Sequence, residues 1–230
     1  MMLHAVIGRA EALPLAVRRK YARLLMLAGG LMVTAIVGAL AVWFLVWSHV
    51  PDLSVNGAMA KAGVYESWKR GEVIVLIRHA ERCDRSKAPC LGAPEGITVN
   101  GSQAAVQVGK GLKTLGLAQT DIFASPLLRT QQTADWIVGH SVATQDWLKL
   151  CGKGFASDVL EHKTPNRNLV LITHSGCIDQ FERQQNVPGG ERSFAYAQAL
   201  FVSVSDKGQP RILGSISADE WQKVEQQVRN

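Results

Sequence analysis

The chain lacks any charged residue between Leu24 and Trp47. About 20 consecutive apolar residues suffice to cross the hydrocarbon core of a bilayer, and a buried helix of a soluble domain rarely goes so long without charge. Four basic residues lie in the six positions directly before the stretch, namely Arg18, Arg19, Lys20 and Arg23. The positive-inside rule therefore predicts a cytoplasmic tail over 1–23, a single inner-membrane anchor over 24–47 and a periplasmic remainder.

A cleaved signal peptide is the competing interpretation, because Ala58-Met59-Ala60 is typical of a cleavage site. The apolar stretch is longer than a usual signal core, however, and the cleavage candidate lies far beyond its end. An uncleaved anchor is therefore favoured.

The chain also lacks a basic block interleaved with aromatic residues, which argues against nucleic acid as a partner. Its formal net charge of +6 is mostly a property of the membrane flank. Residues 1–47 carry five Lys/Arg and one acid, whereas the remaining residues carry 20 Lys/Arg and 18 acids. The exported part is thus close to neutral.

Cysteine is scarce, and all four cysteines follow the apolar stretch. An even number of cysteines in an oxidising compartment predicts two disulfides. Three pairings are possible; we favour Cys83–Cys90, closing a short loop, together with Cys151–Cys177.

Beyond the anchor, short apolar runs alternate with helical patterns, which predicts a three-layer α/β/α sandwich with a mostly parallel sheet. We expect a linker and a leading helix over 48–71, with a polar connection at 48–56, and a catalytic domain over 72–230. Buried strands are predicted at 73–77, 121–124 and 169–172, an edge strand at 141–144 and a hairpin at 199–204 and 211–216. Helices are predicted at 98–115, 126–138, 157–162 and 217–228, and a shorter one after Gly176. Ser125 is expected to cap the second helix, with Pro126 as its first residue.

Chemically distinctive side chains leave these strands at similar points. Arg78 and His79 end the first strand, Arg129 lies in the first turn of the helix after the second, and His174 follows the third. In such sheets ligands bind beyond the carboxyl ends of the strands. Guanidinium groups and a helix N-terminus favour a phosphoryl group, and two imidazoles could attack phosphorus and donate to its oxygens. This chemistry requires neither a metal nor a cofactor.

Four segments in this order resemble the histidine phosphatases, the phosphoglycerate-mutase-like superfamily, over about residues 72–216. The matching segments are 78–81, 96–104, 125–134 and 173–176. The resemblance implies a phosphoric monoester hydrolase in which His79 is transiently phosphorylated. It also implies that Arg78, Arg129 and His174 hold the phosphoryl group and stabilise its transfer.

Residues 78–86 and the placement of the cysteines are most similar to one branch, the exported phosphatases of lipopolysaccharide core heptose(II) phosphate. The resemblance implies a phosphorylated glycolipid or sugar as the substrate. Arg82 and Arg85 could attract such an anion, although a solvated basic loop is an equally good interpretation.

The chain departs from the family pattern where many members place a glutamate that protonates the leaving oxygen. Residues 145–152 contain no glutamate. Because a general acid contributes roughly 10²–10⁴-fold to the rate, its loss implies a slower enzyme, a good leaving group or a substituted acid. Glu81, Asp84 and Asp146 are the candidates for a substituted acid.

Three other functions remain open at this point. His79 with Cys83, and His174 with Cys177, could be drawn as a zinc site, but this leaves Arg78 unexplained. A phosphohistidine protein phosphatase would also tolerate the missing acid, although its partners are usually cytoplasmic. The third is a tethered phosphate-binding module that has lost catalysis.

Overall fold

A computed structural model describes residues 15–46, 48–192, 194–205 and 208–224. Residues 1–14, Trp47, the hairpin turn at 206–207 and the end of the predicted last helix therefore lie outside the described residues. The chain divides into two units, residues 1–46 and 47–230.

The first unit is one helix, α1 (Leu15–Val46), of 32 residues. Its segment Leu24–Trp43 is exposed and is long and apolar enough to cross a membrane. The helix begins well before the apolar stretch, because nothing in the basic segment before Leu24 breaks helical structure.

The second unit is built on a six-stranded sheet with the order β3-β2-β4-β1-β5-β6. The strands are β1 (Val73–Arg78), β2 (Thr120–Ala124), β3 (Ala143–Thr144), β4 (Asn168–Thr173), β5 (Ala199–Val204) and β6 (Pro210–Ile216). The first four strands are parallel, whereas β5 and β6 form an antiparallel hairpin beside β1. The predicted mostly parallel sheet is thus confirmed.

Helices cover both faces of the sheet: α2 (Ala58–Lys61), α3 (Val64–Lys69), α4 (Val99–Leu115), α5 (Leu128–Val138), α6 (Phe155–Glu161) and α7 (Ser175–Gln184). Along β1, Val73, Val75 and Ile77 belong to one core with α4 and α5. Ile74 and Leu76 belong to a second core with α6 and α7. A strand buried on both faces reads as a continuous apolar run, which explains why β1 was evident in the sequence.

Helix boundaries were predicted with mixed success. Thr98 caps α4, because its side chain accepts a hydrogen bond from the Gly101 amide, and α4 ends before Gly116 as expected. The predicted Ser125-Pro126 start of α5 was wrong, because the helix begins at Leu128 with Leu127 as its N-cap. The helix expected after Gly176 begins earlier, at Ser175.

The segment before β1 also differs from expectation. The single leading helix is split into α2 and α3 at Gly63, whose φ of 78° is left-handed. The polar connection is not a free linker: Leu53 is fully buried in the core, and its amide donates to the Ser215 carbonyl. Gly214 permits this contact, since a Cβ there would collide with the Pro51 carbonyl. Residues 48–71 therefore pack as part of the domain.

Candidate active site

Two adjacent parallel strands bring the two histidines together. Arg78 of β1 pairs with Thr173 of β4, so the next residue of each strand, His79 and His174, leaves the sheet at the same edge. The His79 amide donates to the Thr173 carbonyl at 2.9 Å. The two imidazole rings lie 5.4 Å apart between centroids, edge to face. The histidines therefore lie beyond the carboxyl ends of the parallel strands, where the sequence analysis expects the ligand-binding crevice.

His79 is held as a neutral imidazole. Its Nδ1 lies 2.8 Å from the Ala80 carbonyl oxygen. Because a carbonyl only accepts, Nδ1 carries the proton and Nε2 keeps its lone pair. Burial, followed by the positive charges around it, lowers the pKa of His79 to about 3. The ring is therefore an unprotonated potential nucleophile at neutral pH.

His174 is oriented by two partners. Its Nε2 lies 2.9 Å from Ser125 Oγ, and its Nδ1 lies 3.4 Å from Arg129 Nη2. Because a guanidinium only donates, Nδ1 accepts and the Nε2 proton is donated to the serine hydroxyl. Burial and the charge of Arg129 lower the pKa of His174 to about 4.

Two guanidinium groups flank the imidazoles. Arg129 is the second residue of α5, and its Nε is buried without a hydrogen-bond partner in the described part of the chain. Arg78 donates through Nη1 to the Phe194 carbonyl, but its Nε is likewise unpartnered among the described residues. Burial is the main cause that lowers the pKa of each arginine. Two cations without a carboxylate partner in the described residues create a strong demand for an anion.

Two residues of the site were missed by the sequence analysis. The ring of Tyr196 lies under the Arg78 guanidinium, 3.9 Å from Cζ, and 5.7 Å from the His79 ring. Ser125 was interpreted as a helix cap, but it instead hydrogen-bonds His174. No sequence signal marked Tyr196, because it comes from the irregular segment before β5, where Ala197 adopts a left-handed φ of 54°.

The predicted substrate-binding arginines lie on the loop after β1. Arg82 makes two hydrogen bonds to the Asp84 carboxylate, one of them from Nε at 2.7 Å. Arg85 is exposed on the same loop. The positive charges of both arginines lower the pKa of Arg129 further. The cluster thus adds positive potential beside Arg129.

The three candidate proton donors lie in different environments. Glu81 accepts hydrogen bonds from Thr98 Oγ1 at 2.6 Å and from Ser86 Oγ at 3.0 Å, so its carboxylate braces the loop. The hydrogen bond from Arg82 holds the pKa of Asp84 below its usual value, which opposes proton donation. Asp146 is exposed at the start of a 3-10 turn after β3.

All four cysteines form the two favoured disulfides. Cys83 and Cys90 are bonded with their Cα atoms 5.4 Å apart, and Cys151 and Cys177 with theirs 4.9 Å apart. The first bond closes the loop that carries Arg85, and the second ties α7 to the segment after β3. The zinc hypothesis required two of these sulfurs as thiolate ligands and is therefore incompatible with this pairing.

Comparison with known proteins agrees with this geometry. The family model of the histidine phosphatase superfamily (branch 1) matches residues 74–150. A lipopolysaccharide core heptose(II)-phosphate phosphatase of Salmonella typhi is 34% identical over 155 residues, which covers 66% of this chain and 73% of that relative. The chain belongs to the histidine phosphatase superfamily. It is accordingly a phosphoric monoester hydrolase by family.

Another relative matches over a shorter segment, and two solved structures share the fold. The phosphatase of the same name from Salmonella arizonae is 36% identical, covering 57% of this chain and 65% of its own length. Phosphoserine phosphatase of Entamoeba histolytica, solved with 3-phosphoglyceric acid, is 18% identical with a TM-score of 0.52, covering 65% of this chain and 98% of its own. The protein histidine phosphatase SixA, solved with tungstate, is 16% identical with a TM-score of 0.50, covering 64% and 97%.

Proposed function

We propose that this chain hydrolyses a phosphomonoester through a phosphohistidine formed on His79. The Nε2 lone pair attacks phosphorus, the bond to the leaving oxygen breaks, and that oxygen takes up a proton from solvent water. Water then attacks the phosphohistidine, releasing inorganic phosphate and restoring the neutral ring. Arg78, Arg129 and His174 hold the phosphoryl oxygens in both steps.

The observation that carries this proposal is that two neutral imidazoles lie at one end of the sheet beside two guanidiniums that have no carboxylate partner among the described residues. Two cations neutralise the charge of a transferring phosphoryl group, so no metal is needed for that purpose. The hydrogen bond between His174 and Ser125 can also form in the opposite direction. When a dianion occupies the site, the hydroxyl can donate to His174 Nε2, which frees Nδ1 to carry the proton toward a phosphoryl oxygen.

The substrate that we propose is a heptose phosphate of the lipopolysaccharide core, as named for the relatives. We further propose that residues 24–47 anchor the protein in the inner membrane, with residues 1–23 in the cytoplasm and the catalytic domain in the periplasm. The two disulfides support an oxidising compartment, and the exposed apolar helix supports anchoring.

The deciding experiment traps the intermediate on the full-length protein in detergent. The protein is quenched during turnover of radiolabelled phosphate esters, and we expect acid-labile label on His79. His79→Asn should lose both label and turnover while keeping the circular dichroism of the wild type. His140→Asn serves as the control, because His140 is an exposed histidine.

Each alternative gives a different result. Binding of phosphomonoesters without any labelling would instead indicate a binding module. Turnover by His79→Asn at the wild-type rate would remove the nucleophile assignment. Offering a phosphohistidine peptide beside phosphorylated lipopolysaccharide core tests the substrate, since preferential release from the peptide would favour the protein phosphatase.

A further inference from the structure

A second concavity adjoins the candidate active site and shares one residue with it. This groove has a volume of about 480 Å³. Its side chains, apart from three alanines, are Asn100, Gln103, Gln107, Tyr196, Ser217 and Asp219. Tyr196 is the shared residue, because its ring also lies 5.7 Å from the His79 ring.

The fold places the groove at the same sheet edge as the histidines. Ile77 pairs with Ala199, and Ala199 pairs with Ile216. Ile216 is therefore level with Ile77 in the sheet, and Ser217 lies level with Arg78, the residue before His79. The opposite side of the groove comes from α4, where Asn100, Gln103 and Gln107 are three and four residues apart and share one helix face.

The lining has the chemistry of a site for hydroxyl groups. Side-chain amides both donate and accept hydrogen bonds, as does a serine hydroxyl, and a carboxylate accepts. No lysine or arginine lines the described groove, so it offers nothing to hold a second phosphate. The ring of Tyr196 and the alanines supply apolar surface for the carbon-bound hydrogens of a sugar ring.

Two of the amides are free to bind a ligand. Asn100 and Gln103 are exposed, and their side chains have no hydrogen-bond partner within the described part of the chain. Gln107, by contrast, accepts a hydrogen bond from Gln222 at 3.4 Å. The free amides stand on a rigid helix, which favours a preformed site over one that must be ordered by its ligand.

We propose that this groove binds neutral sugar units next to the phosphorylated sugar, so that the enzyme recognises a phosphorylated oligosaccharide and not a phosphate ester alone. The inference rests on the proposed function, because it requires His79 to process a sugar phosphate. It assigns specificity to residues that do not contact the phosphoryl group. The arginines bind the phosphate, and the groove selects the remainder of the substrate.

The test compares two substrates with the full-length protein in detergent. One is p-nitrophenyl phosphate, and the other is phosphorylated core oligosaccharide released from lipopolysaccharide by mild acid. The variant carries Asn100→Ala and Gln103→Ala. We expect the ratio of kcat/KM for the oligosaccharide to that for p-nitrophenyl phosphate to fall about tenfold or more, as the loss of two hydrogen bonds implies.

The matched control is Gln119→Ala, which removes an exposed amide just before β2. Gln119 lies at the amino-terminal end of the parallel strands, and the histidines follow their carboxyl ends. Its ratio should equal that of the wild type. A second readout is competitive inhibition of p-nitrophenyl phosphate hydrolysis by dephosphorylated oligosaccharide, which should weaken several-fold in the double variant.

The failures of the two proposals can be distinguished. An unchanged ratio in the double variant would overturn the groove assignment alone. A wild type that hydrolyses p-nitrophenyl phosphate but not the oligosaccharide would overturn the groove assignment and the proposed substrate, but not the phosphatase chemistry. A wild type that hydrolyses neither substrate would overturn the proposed function.

Discussion

The buried neutral state of His79 has a measurable consequence for stability. The ring is only 3% exposed, and burial lowers its pKa from 6.5 to about 3. As pH falls through 6.5, the unfolded chain takes up a proton on this imidazole, but the folded protein does not. The unfolding free energy therefore falls from about pH 6.5 downward, and it stops falling only below about pH 3, where the folded protein also takes up the proton.

The magnitude follows from the gap between those two pKa values. One pH unit corresponds to about 1.36 kcal/mol, so lowering the pH from about 7.5 to about 5 should cost about 2 kcal/mol of unfolding free energy through His79. This figure depends only on the folded pKa lying well below 5, and not on its particular value.

Guanidinium unfolding of the full-length protein in detergent, followed by tryptophan fluorescence, measures this effect. Other groups titrate in the same range, so the quantity of interest is the difference between wild type and His79→Gln. We expect the wild type to lose about 2 kcal/mol more than the variant on acidification. His140→Gln, which replaces an exposed histidine, should behave like the wild type. Equal losses in wild type and His79→Gln would mean that the folded protein protonates this ring normally, and the neutral-nucleophile argument would fail.

Two further predictions concern the loop after β1. Replacing Cys83 and Cys90 by serine should cost about 2.5 kcal/mol of unfolding free energy, as the closure of a loop of about eight residues implies; mass spectrometry of the protein from cells should find this pair oxidised, and free thiols there would argue against a periplasmic domain. Asp84→Asn should lower kcat for an ester with a poor leaving group by less than about tenfold, because Arg82 keeps this carboxylate ionised; a loss near 10²-fold would identify Asp84 as the general acid.

Much of the fold was predictable because local signals agreed with the tertiary arrangement. The run at 73–77 is apolar at every position because β1 is buried on both faces. Thr98 marked the start of α4 because its side chain accepts a hydrogen bond from the Gly101 amide, and Gly116 marked the end because it adopts a positive φ of 89°. The prediction that α5 starts at Ser125-Pro126 was wrong because a local signal disagreed with the tertiary arrangement. The Ser125 hydroxyl hydrogen-bonds His174, a residue 49 positions away, and the helix begins at Leu128.

The site residues, too, were partly predictable from local signals. The candidates Arg78, His79, Arg129 and His174 could be named in advance because each sits where a strand or a helix meets a loop, and such positions follow from apolar runs and end signals along the chain. The structure places the rings of His79 and His174 5.4 Å apart and Arg129 Nη2 3.4 Å from His174 Nδ1, whereas the catalytic roles of the four residues stay a prediction.

Contacts between segments that are distant in the sequence could not be predicted from local signals. The stacking of Tyr196 on Arg78 depends on an irregular segment that no periodicity describes. The burial of Leu53 against β6 turned an expected linker into part of the domain. The pKa values of the histidines arise from desolvation by the packed chain. The order of apolar runs and end signals along the chain therefore predicted which residues lie at the crevice. The environment of each side chain depends on what the rest of the chain packs around it, so only the tertiary structure determined it.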